Sequence, residues 1–199
     1  MSSKPSCFVV SNCTHAPIKN YLSATGFFSS VDSVAIFNVP KVKLDETAEV
    51  AKGYDYVFSL VLYDDWGPFG TNVLRQEIPD KILTIATPFF NGLHPDLIHI
   101  EIDGRRVASP IGDYHSALIY WGYMTGVSLH DLREMYEDAY LPPVFQAESV
   151  WNSALESISQ RDAHAEIPTS HIYDEICRRK AAMLTFNHPS IDIIAELCK

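Results

Sequence analysis

In the first half of the chain the apolar residues come in short unbroken runs, separated by polar segments with helical spacing. Cys7–Ser11 and Tyr54–Leu62 read as buried strands, and Ser33–Val39 reads as a strand stopped by Pro40. Lys81–Ala86 is a further strand, with Pro88 behind it. Between them Ala16–Ala24 and Leu44–Lys52 carry a helical pattern, the second ending at Gly53. Strands that alternate with helices imply a parallel sheet built from right-handed crossovers. Ile98–Val107 holds Asp103-Gly104 between alternating apolar residues, a hairpin signal. After Tyr114 the period becomes helical. Ser116–Thr125 is apolar nearly all round, which predicts a buried helix. Ser128 opens the next helix, with Asp131 at the capping-box position. Phe145–Asp162 and Pro168–Lys180 predict two more, and Pro189–Cys198 predicts the last, with Pro189 in its opening turn. The expected fold is α/β in a single domain spanning 1–199. A parallel sheet of about four or five strands occupies 1–112, and 113–199 is mainly helical.

Composition narrows the function. The formal net charge of −10 argues against nucleic acid and against anionic lipid as partners. It leaves room for a local basic pocket from Lys41 with Lys43, Arg105 with Arg106, or Arg178-Arg179-Lys180. No apolar run is long enough to cross a membrane, and the first residues are too polar for a signal peptide, so a cytoplasmic protein is expected. Cys7, Cys13, Cys177 and Cys198 have no CxxC spacing and read as free thiols.

Cys13 is the most informative of them. It follows a strand directly and precedes a helix, where ligands of open α/β sheets bind and where a helix N-terminus favours a thiolate. A small buried residue at a tight strand–helix junction suits the same pattern. His188, in Asn187-His188-Pro189-Ser190 before the closing helix, is the candidate general base; a surface or capping histidine is the alternative. Asp113 and His115 stand before a helix and could form the remainder of a triad, or simply cap it. Asn91 and His94 share a loop with two phenylalanines, and Asn91 could donate to an oxyanion; an Asn-Gly turn explains the same residues. Asp64-Asp65-Trp66 could grip a sugar or form a solvated turn. No metal-binding spacing, GxGxxG, Walker A or GxSxG motif is present, and no metal is expected.

Five segments in order resemble the WcbI family of polysaccharide-biosynthesis acetyltransferases. They are Ser11-Asn12-Cys13, Trp66-Gly67-Pro68-Phe69-Gly70-Thr71, Phe90-Asn91-Gly92-Leu93-His94-Pro95-Asp96, Pro110-Ile111-Gly112-Asp113-Tyr114-His115-Ser116 and Phe186-Asn187-His188-Pro189-Ser190. The resemblance implies a coenzyme A-dependent O-acyltransferase acting on a capsular polysaccharide, a related glycan or a small hydroxyl-bearing acceptor. It implies Cys13 as nucleophile and His188 as base, with Asp113 or His115 in support. Asn12 and Asn91 would stabilise an oxyanion, and Thr14, His94, Tyr114 and Asn187 would line the substrate site. Arg105 and Arg106 are the expected partners of the acetyl-CoA phosphates, with Lys41 and Lys43 close behind. Three positions depart from the family pattern: Ser11 stands where a glycine is usual, Thr14 where a glutamine is usual, and Asn91 where an acidic residue is usual. A looser resemblance to the SGNH hydrolase layout rests on a nucleophile after the first strand and a histidine before the last helix. A thioester or ester hydrolase, or a non-catalytic CoA- or sugar-binding module, are therefore the alternatives.

Overall fold

A computed structural model describes residues 3–137 and 146–199. Four parallel strands form the sheet: β1 (Ser6–Ser11), β2 (Ser30–Ala35), β3 (Tyr56–Leu60) and β4 (Ile82–Ile85), in the order β2-β1-β3-β4. Helices α1 (His15–Ala24), α2 (Leu44–Lys52) and α3 (Thr71–Glu77) connect them. Val9 and Val10 point to opposite faces of β1 and are both 0% exposed, so both faces of the central strand are covered. Burial of each such side chain stabilises the fold by about 1.5–3 kcal/mol.

The register aligns the strand ends. Ser11 lies opposite Ala35, Val10 opposite Ser59, and Leu60 opposite Ile85. All four C-terminal ends therefore open on one edge. The chain steps from β1 to one side and then returns to the other, so the order reverses between β1 and β3. With right-handed crossovers, α1 covers one face and α2 and α3 the other. The outer edge of β4 is closed by a return of the chain, where Ile167 N donates to Thr84 O at 3.0 Å and the Glu166 carboxylate accepts from Thr84 N at 2.9 Å.

Beyond the sheet, short strands β5 (Leu97–Ile98) and β8 (His115–Ser116) pair, as do β6 (Glu101–Ile102) and β7 (Arg105–Arg106). Asp103 (φ 50°) and Gly104 (φ 71°) close the β6–β7 hairpin in left-handed backbone, as the Asp-Gly pair predicts. Helices α4 (Ala117–Thr125), α5 (Leu129–Glu137), α6 (Ala147–Asp162), α7 (Ser170–Cys177) and α8 (Ile191–Leu197) make the second half mainly helical, with a small hairpin β9 (Met183–Thr185) and β10 (His188–Pro189) between the last two.

Several expectations shift. The second strand ends at Ala35 and the chain continues as a short 3-10 turn, Ile36–Asn38, before Pro40. Helix α3 escaped the sequence pattern. Pro189 pairs in β10, and Ser190 is the N-cap of α8. Phe145, where the long helix was expected to begin, lies outside the described residues. The largest correction is α4. Leu118 and Gly122 are buried, but Tyr123 is 82% and Met124 64% exposed. A uniformly apolar helix has no amphipathic direction, so its sequence cannot say how much of it is covered. Its position is set by its start and by one contact. Asp96 Oδ1 accepts from Leu118 N (2.8 Å), Ser116 Oγ accepts from Ile119 N (3.0 Å), and Gly122 lets Leu132 sit where a Cβ would be 2.6 Å away.

Asp162 joins α6 to α7. It is buried and accepts from Thr169 N (2.8 Å), Thr169 Oγ1 (2.9 Å) and Ser170 N (2.7 Å), which caps the start of α7. Asp162→Ala would strand these donors and is expected to lower unfolding stability by about 3 kcal/mol. Asp162→Asn, which retains one carbonyl oxygen, should cost clearly less. Urea denaturation of the three proteins measures both; equal stability of Asp162→Ala and wild type would refute the assignment.

Candidate functional site

Cys13 stands just past the C-terminal end of β1, beside the reversal of strand order, where two neighbouring connections leave to opposite faces and open a crevice. Asn12 shapes its turn. The Asn12 amide oxygen accepts from Thr14 N (3.0 Å) and Thr14 Oγ1 (2.9 Å), and the Cys13 thiol donates to it at 3.7 Å. Thr14 Oγ1 in turn meets Ser11 Oγ at 2.7 Å. Thr14 is 3% exposed, so its role is to hold the turn and not to line a substrate site. Cys13 is exposed, while Cys7 and Cys177 are buried and Cys198 is intermediate. Protein packed around the Cys13 sulfur desolvates a thiolate more than the residue's own N–H stabilises it, so its pKa lies above the ordinary value. That direction opposes the thiolate expected from the helix N-terminus.

His188 is brought to the same edge by helix packing. Helix α1 packs on α8, and both end at one cavity, lined by Thr25 from the end of α1 and Leu197 and Cys198 from the end of α8. The two helices therefore run in the same direction and begin at the same edge. Cys13 closely precedes one and His188 the other. The loop after β4 ties in the same region, with Phe90 N donating to Phe186 O at 2.6 Å and His94 Nε2 bonded to Met183 O at 2.8 Å. Among the described residues no hydrogen bond joins Cys13 to a histidine; the side chain its thiol bonds to is Asn12.

The surroundings of His188 select one tautomer. Tyr114 Oη and Thr185 Oγ1 both donate to the Asn187 amide oxygen, at 2.7 and 2.8 Å. Each hydroxyl has a single proton, now used. His188 Nδ1 lies 3.0 Å from Tyr114 Oη and 2.7 Å from Thr185 Oγ1, so in the neutral ring it must donate into their lone pairs. The proton is then on Nδ1, and Nε2 keeps a lone pair with no partner among the described residues. Tyr114 and Asn187, expected to line a substrate site, are engaged in holding the His188 ring. Thr185 and Phe186 were missed. Phe186 packs on Tyr114 and His99 with ring centroids 5.4 and 4.8 Å apart. Thr185 and Phe186 both lie in the Thr185–His188 segment, which the sequence showed only as a loop before the last helix.

The remaining candidates are held elsewhere. His115 Nε2 bonds to Val107 O at 2.8 Å and serves the β5–β8 pairing. Asp113 pairs with Arg106 at 2.7 Å and with His99 at 3.7 Å, so it orients neither His115 nor His188. The Arg106 hydrogen bond holds the Asp113 pKa below the ordinary carboxylate value. Arg106 also reaches Glu101 at 3.4 Å and is therefore neutralised twice. Arg105 is exposed on the hairpin. Lys41 and Lys43 form an exposed 3-10 turn beyond the C-terminal end of β2, and no ion pair holds either among the described residues. Asn91 is half-buried, and its side-chain amide makes no hydrogen bond among the described residues. His94 is spent on Met183. His130, Asp131 and Glu134 have donor atoms within 4.8 Å of one another, all exposed on α5, and His130 and Glu134 already pair at 3.3 Å.

A larger cavity of about 360 Å³ sits at the opposite edge of the sheet, beside Cys7, Phe28, Tyr56 and Cys198. Burial pushes the thiol pKa up to about 11 for Cys7 and about 12 for Cys198, so neither is a ready nucleophile.

The Cys13 environment gives a direct expectation. A raised pKa means less thiolate at a given pH. Alkylation of Cys13 by iodoacetamide should be slower than that of a free cysteine at neutral pH, with its inflection above the ordinary thiol value. Mass-resolved labelling across pH tests this; an inflection below that value would show a thiolate stabilised at rest.

The sequence profile of a family described as polysaccharide biosynthesis enzyme WcbI matches residues 6–199. No curated protein matches the chain. A solved structure of WcbI is described as a novel polysaccharide biosynthesis enzyme, in native form without a disulfide bond between coenzyme A and one of its cysteines. It superposes with a TM-score of 0.79 at 15% identity, covering 98% of this chain and 68% of that one. The fold is shared, down to the parallel sheet in the first half and the helices in the second. With nearly its whole length matched by the profile, the chain belongs to the WcbI family of polysaccharide biosynthesis enzymes.

Proposed function

We propose that the protein transfers an acyl group from a coenzyme A thioester to a hydroxyl of a glycan or related acceptor, with Cys13 receiving the acyl group and His188 moving the proton. The observation that carries this reading is the parallel start of α1 and α8 at one sheet edge, with an exposed thiol before one and an imidazole of defined tautomer before the other. The described relative also supports it, because its name associates coenzyme A with a cysteine. Cys13 is the exposed cysteine of this chain, and a disulfide to CoA needs an accessible sulfur.

The chemistry follows from the protonation states. A thiol that is protonated at rest needs a base, and His188 Nε2 has the free lone pair. As sulfur attacks the thioester carbonyl, its proton passes to Nε2. The tetrahedral oxyanion is met by N–H groups of the Cys13 turn and by the Asn12 side-chain amide N–H, whose oxygen is already fixed by Thr14. Collapse breaks the carbon–sulfur bond to CoA, and the departing thiolate takes the proton from His188. The acceptor hydroxyl then attacks the Cys13 thioester while giving its proton to Nε2, and the returning proton leaves Cys13 as a thiol. The missing hydrogen bond between Cys13 and His188 supports a second reading. In it His188 deprotonates the acceptor, which attacks acyl-CoA directly, and Cys13 lines the site.

Intact mass after incubation with acetyl-CoA separates the two. The covalent route predicts an acetyl adduct without acceptor, lost in Cys13→Ser; no adduct with full turnover requires the direct route. Either route predicts that His188→Ala lowers turnover by roughly two to four orders of magnitude in folded protein. A loss below tenfold would remove His188 from the chemistry. CoA release that proceeds without any hydroxyl acceptor other than water would make the protein a hydrolase.

For the nucleotide, Lys41 and Lys43 replace Arg105 and Arg106 as the preferred contacts, because Arg106 is already paired and the two lysines border the same edge as Cys13. Lys41→Glu with Lys43→Glu should weaken CoA binding about tenfold or more at low salt, and less at high salt. Calorimetric titration is the measurement, and unchanged affinity at low salt would refute this placement.

A further inference from the structure

Arg161 near the end of α6 is a cation that the acyl-transfer reading leaves unused. Its Nη1 donates to Ser157 Oγ at 3.0 Å, its Nη2 donates to Phe89 O at 2.6 Å, and its guanidinium lies over the Phe89 ring at 5.8 Å. Its Nε is buried and has no acceptor. Among the described residues no carboxylate pairs with it, although most other cations of the chain have one. A buried donor of a charged group without an acceptor is costly even where, as here, the residue as a whole is only half-buried. Desolvation lowers the Arg161 pKa, against the opposing attraction of Tyr173, Asp162 and Tyr63.

The space that Arg161 helps to line has a shape and an address. A cavity of about 40 Å³ is lined by Arg161, His164, Tyr63, Val61, Ala86 and Thr87. Val61 and Tyr63 follow β3, and Ala86 and Thr87 follow β4, so the cavity opens on the edge that holds Cys13. Strand β3 is the neighbour of β1. The cavity has room for a group of a few heavy atoms and not for a nucleotide. Its lining offers a planar fork of N–H donors, an imidazole and a threonine hydroxyl, and no carboxylate. That donor set matches a phosphoryl oxyanion.

We propose that Arg161, with His164 and Thr87, forms a phosphoryl-binding subsite at the β3–β4 end of the active edge, holding a phosphate carried by a substrate. This rests on the acyl-transfer reading only for the substrate's identity. The phosphoryl group could come from the diphosphate of CoA or from a phosphorylated sugar acceptor, and the two sources are separable.

Inorganic phosphate is the first probe. It should raise the thermal midpoint of the wild-type protein, and this effect should be absent in Arg161→Met. Because Arg161 also straps the Phe89 carbonyl, a second variant guards the test. Thr87→Asp supplies a carboxylate to the guanidinium from within and should raise the midpoint while removing the response to phosphate. CoA and pantetheine then report the donor: if CoA supplies the phosphate, Arg161→Met weakens CoA about tenfold or more and leaves pantetheine unchanged. Competition between glucose 1-phosphate and phosphate, lost in both variants, reports the acceptor. A wild-type midpoint indifferent to phosphate overturns the subsite. So does an equal response in wild type and both variants, which would mean an adventitious ion only. An acetyl adduct on Cys13 that forms normally alongside either result would leave the reaction standing and the subsite refuted. A phosphate response without any acyl turnover would do the reverse.

Discussion

Strand β1 is bonded to β2 on one side and β3 on the other, and it has no exposed face. This double constraint controls the site. A strand paired on both sides cannot slide without breaking two ladders, and the parallel register fixes where Ser11 ends. The next residues must leave the sheet, and Asn12 makes them do so in a tight turn closed by its own side chain. The exposed thiol of Cys13 is therefore a consequence of a buried strand and a self-bonded turn. Helix α1 starts at once and, by packing on α8, determines where the second half of the chain can deliver His188.

How much of this could be read from residues depends on whether a signal is local. The run Phe8-Val9-Val10 ending at Asn12-Cys13 is local, and it gave both the strand and the turn that follows it. Asp103-Gly104 gave its hairpin for the same reason, since both residues adopt positive φ. The Asn187-His188 segment was legible as a loop before a helix, but its meaning was not. Tyr114 reaches it from far away in the chain, and Thr185 from across a hairpin too short to show a strand period. Asp113 and His115 were adjacent to the right helix and were taken as a unit. In the fold one answers Arg106 and the other a backbone carbonyl. Helix α4 shows the other limit: apolar on every side, it carried no direction, and most of its surface faces solvent.

The site candidates divide by whether their hydrogen-bonding capacity is already used. Thr14 and Asp113 have their polar atoms engaged by neighbours, and His94 and His115 each tie Nε2 to a backbone carbonyl that fixes a loop or a turn. His188 is held the other way round, with Nδ1 against two hydroxyls and Nε2 left open among the described residues. That asymmetry is what a general base requires, because an imidazole with both nitrogens engaged cannot accept a proton, and one with neither engaged has no defined orientation.

The same division applies to charge, and it resolves the apparent conflict between a net charge of −10 and an anionic ligand. Many of the other cations are matched: Arg178 with Asp174, Arg179 with Glu175, Lys180 with Asp192, Lys52 with Glu77, Lys19 with Asp32. The basic tract Arg178-Arg179-Lys180, conspicuous in the sequence, is thus electrically quiet. Lys41 and Lys43 beyond β2, and Arg161 beside the ends of β3 and β4, hold no such partner among the described residues, and they border the strand ends that flank Cys13. Neutralised cations contribute little field at a distance, while unpaired ones act fully at the crevice. An acidic protein can in this way repel polyanions over most of its surface and still accept a phosphate at one edge of its sheet.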